Sequence, residues 1–357
     1  MNEVIYRRLA EFLDTLPGGF APSSGDADLR LLASLFSESE AVLAPFLVLE
    51  PESAATIATR AGLPEGEVAQ RLVEMAEKGL VMSSTAPRES PRYWALPWVV
   101  GIYELQVNNL TPALRHDLGA YWSTQKRRKS AQTIPQMRVI PVGESIEARL
   151  EVLPYEQVES LLQAQEHFAV APCICRRHAR LEGGGCTAPE ESCLVFGDWA
   201  EYYVRTGRGR AIDLAEVRTI LECANAANLV LEPSNSQDIS FLCTCCGCCC
   251  GVLQGIKHQS RPADVVVNGF IAQLDEDVCR GCWTCLKRCQ MEALVEDGDH
   301  ARLKSERCIG CGLCVTTCPS DALKLVRKAG DQAEQVPPDL LATWNTISRQ
   351  RAQQIRG

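Results

Sequence analysis

The sequence predicts an α+β chain of several domains: a helical N-terminal domain, an α/β middle domain rich in cysteine, and a small C-terminal module built on a repeat. Three observations predict it. The chain has 357 residues, more than one ordinary domain of roughly 100–200 residues accommodates. All 19 cysteines lie between Cys173 and Cys318, so a cysteine-free first part is joined to a cysteine-rich second part. The hydrophobic pattern also changes along the chain, from helical spacing before residue 105 to short strands alternating with helices after Met137. The expected divisions are 1–105, a linker at 106–136, the cysteine-rich domain at 137–268, the repeat module at 269–330 and a helical tail at 331–357.

Composition narrows the function classes. Apolar residues make up 46% and charged residues 23%, enough for a buried core and against bulk disorder. A formal charge of -9 and a pI of about 5.3 argue against a protein whose main task is neutralising phosphates. Residues Met1 to Arg8 lack the basic stretch and apolar segment of a secretory signal. The longest nearly uncharged apolar run, Ala41 to Leu49, falls far short of the roughly 20 residues that cross a bilayer. The expectation is a soluble cytoplasmic protein with no membrane span. In a reducing compartment, an odd and high number of cysteines reads as thiolate ligands more readily than as disulfides.

In the first part, Glu52 to Ala61 suits a helix, Gly62 and Pro64 mark a turn, and Glu65 to Leu80 suits a second helix with Val68, Leu72, Met75 and Leu80 inward. Leu80–Met82 and Tyr93–Leu96 can then pair as strands around the polar loop Ser83–Arg92. This order resembles a winged helix-turn-helix, which implies DNA binding through the second helix. That helix, however, carries Glu65, Glu67, Glu74 and Glu77 against Arg71 and Lys78, so its charge repels phosphate and favours a protein-docking or dimerisation role. The basic run Lys126-Arg127-Arg128-Lys129 is read as a solvated helix face before a nucleic-acid patch.

After Met137, Arg138–Val142 and Ala148–Leu153 suit strands, Tyr155–Gln165 a helix, Phe168–Ala171 a strand, Leu214–Ala227 a helix, and Leu229–Leu231 and Ile239–Leu242 strands. The cysteines cluster where strands are expected to end, at Cys173 and Cys243. Open α/β sheets place their sites there.

The most informative feature is a direct repeat of 29 residues: Cys279, Cys282, Cys285 and Cys289 align with Cys308, Cys311, Cys314 and Cys318. Both copies read C-x2-C-x2-C-x3-C, the bacterial iron–sulfur run. A loop with two residues between cysteines can set three sulfurs on three irons of a cuboidal cluster, while the fourth thiolate points away toward the other cluster. The expected sets are therefore Cys279, Cys282, Cys285 and Cys318 for one 4Fe-4S cluster, and Cys308, Cys311, Cys314 and Cys289 for the other. Gly281, Gly310 and Gly312 leave backbone N–H groups free to face the sulfides. The stretch from Gly269 to Arg327 resembles the two-cluster ferredoxin module, with Gln290 where the second copy has Pro319. Zinc sites usually arrive as two separated C-x2-C pairs, so iron–sulfur binding is the expectation.

Eleven cysteines remain. Cys173, Cys175, Cys186 and Cys193 form one set; Cys243, Cys245, Cys246, Cys248, Cys249 and Cys250 form another. Cys223 stands apart and reads as a buried, inert thiol on an apolar helix face. A further 4Fe-4S centre from the first set is the preferred reading, with the second set supplying another centre or a redox-active dithiol. A structural zinc site with spare thiols is the alternative. The Pro-Cys-x-Cys-Arg segment, the cysteines after it and the Cys-x-Cys-Cys-x-Cys-Cys-Cys run together resemble a family of ferredoxin-domain iron–sulfur proteins in anaerobic bacteria, over Val139 to Arg327. The resemblance implies electron transfer, not a stated reaction.

The leading expectation is therefore an electron-transfer protein or the electron-input subunit of an oxidoreductase, with redox proteins as partners, two 4Fe-4S clusters and room for one or two further iron–sulfur centres. A redox-responsive winged-helix regulator is the second. A reductase acting at Cys243–Cys250 is the third, with His167, His178 or His258 as a proton donor, although each reads more simply as a surface or packing residue. Neither Gly183-Gly184-Gly185 nor Gly207-Arg208-Gly209 has dinucleotide-binding spacing, and each is read as a turn.

Overall fold

A computed structural model describes residues 1–84, 90–125, 134–146, 152–328 and 336–356. The basic run Lys126–Lys129, most of the expected strand Ala148–Leu153 and the tip of the Ser83–Arg92 loop lie outside the described residues. The chain divides into two compact units: residues 1–136, 201–208 and 341–357 in the first, and 137–200 and 209–340 in the second. The expected middle and C-terminal domains thus fall in one unit.

In the first unit, helices α1 (Glu3–Thr15), α2 (Ala27–Leu35) and α3 (Glu38–Leu43) precede a short strand β1 (Glu52–Ser53), then α4 (Ala54–Ala61) and α5 (Glu65–Lys78). Ser37 and Glu40 form a reciprocal cap on α3, which satisfies two amide groups that a helix start leaves unpaired. Gly62 and Gly79 close α4 and α5 in the left-handed conformation that L-residues avoid. Strands β2 (Val81–Ser84) and β3 (Arg92–Ala95) follow, and the antiparallel order β1-β3-β2 makes a small sheet. As the spacing predicts, Val68, Leu72 and Met75 of α5 are fully buried. Glu65, Glu67, Glu74 and Glu77 are exposed, and the helix's two cations are already engaged, Arg71 by Glu67 at 2.6 Å and Lys78 by Glu40 at 2.8 Å.

Helix α6 (Pro112–Gln125) brings Tyr121 flat against Phe20, with ring centroids 4.6 Å apart, and Trp98 meets Phe20 edge-on at 5.3 Å. Residues 201–208 explain their own grouping. Tyr202 Oη donates to the Ala76 and Val81 carbonyls at 2.6 and 3.2 Å, and Arg208 donates to the Leu105 and Glu77 carbonyls at 2.7 and 2.8 Å. Burial pushes the Tyr202 hydroxyl up to about 12, so it is a permanent donor.

The second unit centres on a five-stranded sheet of β4 (Phe168–Pro172), β5 (Glu191–Phe196), β6 (Arg210–Ile212), β7 (Val230–Pro233) and β8 (Phe241–Cys245), in the order β6-β4-β5-β8-β7. Helices α7 (Val158–Gln163), α8 (Ile174–Leu181), α9 (Gly197–Arg205) and α10 (Leu214–Ala226) fall between or before these strands, and α11 (Gly251–Lys257) follows β8. The expected alternation of strand and helix is present, but every pairing is antiparallel. Alternation alone does not distinguish the two cases: the turn after α8 returns the chain to the end of the sheet it left.

Residues Arg138–Val142 are not a strand of the sheet. Pro141 has no N–H to give a ladder, and the neighbouring amides go to three separate places: Arg138 and Ile140 to β7, Val139 to Val267, and Val142 to Cys311. Cys243 also lies inside β8 and not at its end.

The C-terminal part of this unit contains β9 (Phe270–Leu274), helix α12 (Thr284–Arg288), β10 (Leu294–Asp297), β11 (His300–Leu303) and β12 (Leu323–Arg327). Strand β9 pairs with β12, and β10 with β11, both antiparallel. A final helix spans Leu340–Arg356, and residues 341–357 group with the first unit. No helix among the described residues is long and apolar enough to cross a membrane.

Tyr202→Phe should lower the stability of the first unit by about 1–2 kcal/mol, because two buried carbonyls lose their donor. Thermal denaturation followed by far-UV dichroism checks it.

Candidate metal centres

The sequence repeat is also a repeat of backbone geometry. Gly281 and Gly310 have φ of +60° and +67°, Trp283 and Gly312 +60° and +77°, Glu292 and Asp321 +54° and +52°; each pair is 29 residues apart. A Cβ on Gly281 would collide with the Asp299 carbonyl, and one on Gly310 with the equivalent Phe270 carbonyl. These two positions therefore need glycine both for φ and for space. The amides of Ala272 and Ala301, again equivalent, donate to Cys308 Sγ and Cys279 Sγ at 3.4 Å each. Each strand pair takes one strand from each copy, which explains how the two loops come to face each other.

Four cysteines, Cys289, Cys308, Cys311 and Cys314, line one cavity together with Arg288, Ile309 and Leu313. The first copy thus delivers its fourth cysteine to the loop of the second. In the other direction, burial pushes the Cys285 thiol up to about 11, with the charges of Cys279, Cys282 and Cys318 adding to it. Burial likewise pushes Cys311 up to about 12 and Cys314 well above its ordinary range, with Cys289 contributing to both. Thiols held this way resist ionisation until a cation shares the site. The two loops differ in exposure: Cys282 is exposed and Cys279 half-buried, whereas Cys308 and Cys314 are buried. Arg288, on α12, reaches over the second loop, donating to the Leu313 carbonyl at 3.2 Å and to both oxygens of Asn225 at 3.0 Å.

Residues 272–325 match the family model of the 4Fe-4S dicluster domain. No curated protein and no solved structure matches the chain. The chain therefore carries an iron–sulfur domain at its C-terminal end. The cavity, the amide donors and the all-thiolate set fit that cofactor.

The other cysteines divide differently from the grouping expected from sequence. Cys186 does not join Cys173, Cys175 and Cys193; its Sγ lies with those of Cys246, Cys248 and Cys249, all within 4.8 Å of one another. The remaining six form a continuous line of contacts: Cys173 with Cys175, Cys175 with Cys250, Cys250 with Cys245, Cys245 with Cys243, and Cys243 with Cys193. Cys193 and Cys243 are register partners on β5 and β8. The Cys175 and Cys245 thiols beside it draw Cys250 down to about 7.

Two residues that sequence reasoning left without a role stand at this line. Glu232, a carboxylate in the otherwise apolar strand β7, groups with Cys245 and Cys250; burial pushes it up to about 8, which favours its neutral acid form. Arg176 is 1% exposed and donates to the Thr244 carbonyl at 2.9 Å, to Ser192, and to Cys246 Sγ at 3.9 Å. A buried guanidinium needs negative charge nearby, and the side chains of Cys173, Cys245 and Cys246 are the groups beside it that could supply that charge.

Cys223 is exposed, not buried. Helix α10 packs through Val217, Ile220, Leu221 and Ala224, a stripe at helical spacing that passes Cys223 by. His258 Nδ1 is tied to the Gln254 carbonyl at 2.6 Å, a local helix-end contact.

Gly310→Ala should sharply lower the iron retained by purified protein, since it adds a left-handed penalty of about 1–2 kcal/mol to a backbone collision at the loop. Gly119→Ala, in open space on α6, should leave iron unchanged. Iron assays on the two variants compare them directly.

Proposed function

We propose that this chain is an electron-transfer protein, or the electron-input subunit of a larger oxidoreductase, with two 4Fe-4S clusters held by Cys279, Cys282, Cys285 and Cys318, and by Cys308, Cys311, Cys314 and Cys289. The observation that carries the reading is the single cavity lined by Cys289 together with Cys308, Cys311 and Cys314. Thiolate-held four-iron clusters, when bound, supply one-electron chemistry over a wide range of potentials.

The chain's own residues set where that chemistry is reached. The exposed Cys282 loop is the face a redox partner approaches. The second loop faces inward: Cys289 and Cys311 pack on the same apolar core as Cys243, Cys245 and Cys250, through Met291, Ile309 and Leu313. Gln290 strengthens the junction, accepting from the Gly247 amide at 2.8 Å and donating to the Asn228 carbonyl at 2.7 Å. The six-thiol line beside it is the internal acceptor or reaction site in this reading. The helix-turn-helix and ribbon of the first unit serve as a winged-helix-like docking module for protein. Its exposed glutamates, with Arg71 and Lys78 already paired, disfavour DNA.

Anaerobically purified protein should contain at least about eight irons and eight sulfides per chain; a chain without iron would overturn the reading. Cys311→Ser should lower iron content, and Cys223→Ser should not. Arg288→Gln should make one cluster harder to reduce. Loss of one partly buried positive charge, about 1 kcal/mol, corresponds to a potential lower by about 40 mV for one electron. Potentiometric titration with EPR detection reads the shift.

A further inference from the structure

The geometry points to a structural zinc ion held by Cys186, Cys246, Cys248 and Cys249, separate from any iron–sulfur centre. All four sulfurs lie within 4.8 Å of one another. The Cys186 to Cys246 and Cys186 to Cys249 separations are 3.8 Å, and Cys248 to Cys249 is 3.7 Å. A tetrahedron of thiolates around one zinc, with bonds of about 2.3 Å, has edges of about 3.8 Å. A cuboidal cluster places each thiolate on a different iron and so spreads them wider. Among the described residues, the eight repeat cysteines form no group of this tightness. The separations therefore select a single ion.

The surroundings match a structural role. Cys186 comes from the glycine-containing turn after α8, and the other three from the turn between β8 and α11. The apolar cluster joining these segments is small, with Ala224 and Leu229 at its centre and Ala179, Ala188 and Ala227 at its edge. Such packing holds two loops weakly, and a closed four-thiolate ion adds the missing cross-link. Four thiolates around a divalent cation leave net negative charge, and Arg176 lies against it through Cys246 Sγ. At a given site zinc binds more tightly than ferrous iron, which selects between the two metals that suit four thiolates. The ion would fasten the Cys186 turn to the segment that also carries Cys245 and Cys250, leaving the six-thiol line free for other chemistry.

The test is metal analysis and zinc-edge X-ray absorption on the full chain, purified anaerobically and washed with chelator. The expected result is about one zinc per chain beside the iron, with four sulfur neighbours at about 2.3 Å and no metal neighbour. Cys248→Ser and Cys249→Ser should each reduce zinc at least about tenfold, a loss of about 1.4 kcal/mol or more in affinity, while iron stays at the wild-type value. The exposed-thiol variant Cys223→Ser should keep both metals. Absence of zinc with iron near twelve per chain, a lone iron with four sulfur neighbours, or zinc that survives both substitutions would each overturn the proposal. The wild-type spectrum decides the metal even where a variant fails to fold, and the iron count tests the electron-transfer reading independently.

Discussion

A buried thiolate is costly unless positive charge stands beside it, and the second unit is arranged around that constraint. It gathers cysteines from loops far apart in sequence and surrounds them with compensating groups. Burial, with the charges of neighbouring cysteines adding to it, drives Cys285, Cys311 and Cys314 away from ionisation; amide donors from Ala272, Ala293 and Ala301 favour the ionised sulfurs. Arg288 stands at one cysteine group and Arg176 at another. In the proposed reading metal ions complete the balance, and folding of these loops is then coupled to metal loading.

The two halves of the second unit share one core. Leu242, Cys245 and Leu253 of the sheet region lie in the same buried cluster as Met291, Ile309 and Leu313 of the repeat region. The segment around Val142 reinforces the joint, since its amide donates to the Cys311 carbonyl at 3.1 Å and Ser145 occupies the space a side chain at residue 312 would need. Gly312 is thus held by a neighbour outside the module, whereas its counterpart Trp283 bears a bulky side chain in the same left-handed conformation. The repeat is symmetric in the backbone of its cysteine loops and asymmetric where it meets the sheet.

The repeat was legible because its signal is covalent spacing. Cysteine intervals, glycine at the tight turns and the 29-residue period all follow from how a short loop wraps a cluster, and the backbone repeats them at residues 281 and 310, 283 and 312, and 292 and 321. The buried face of α5 and the extent of α10 were likewise local, set by side chains one helical turn apart. Strand direction in the five-stranded sheet was not local, because an α-helix between strands reads alike whether the chain crosses over or turns back.

The sequence by itself determined which residue type could ligate metal and how the eight repeat cysteines are spaced, since those depend on neighbours a few residues away. Tertiary structure decided how the other cysteines are shared. Cys186 is 60 residues from Cys246, and only the pairing of β5 with β8, together with the turn after α8, brings them to one point while leaving Cys173, Cys175 and Cys193 with Cys243, Cys245 and Cys250. The same pairing puts Arg176 underneath and Glu232 alongside. Contacts across such distances are set by the register of strands, and register depends on the whole sheet, not on any one segment.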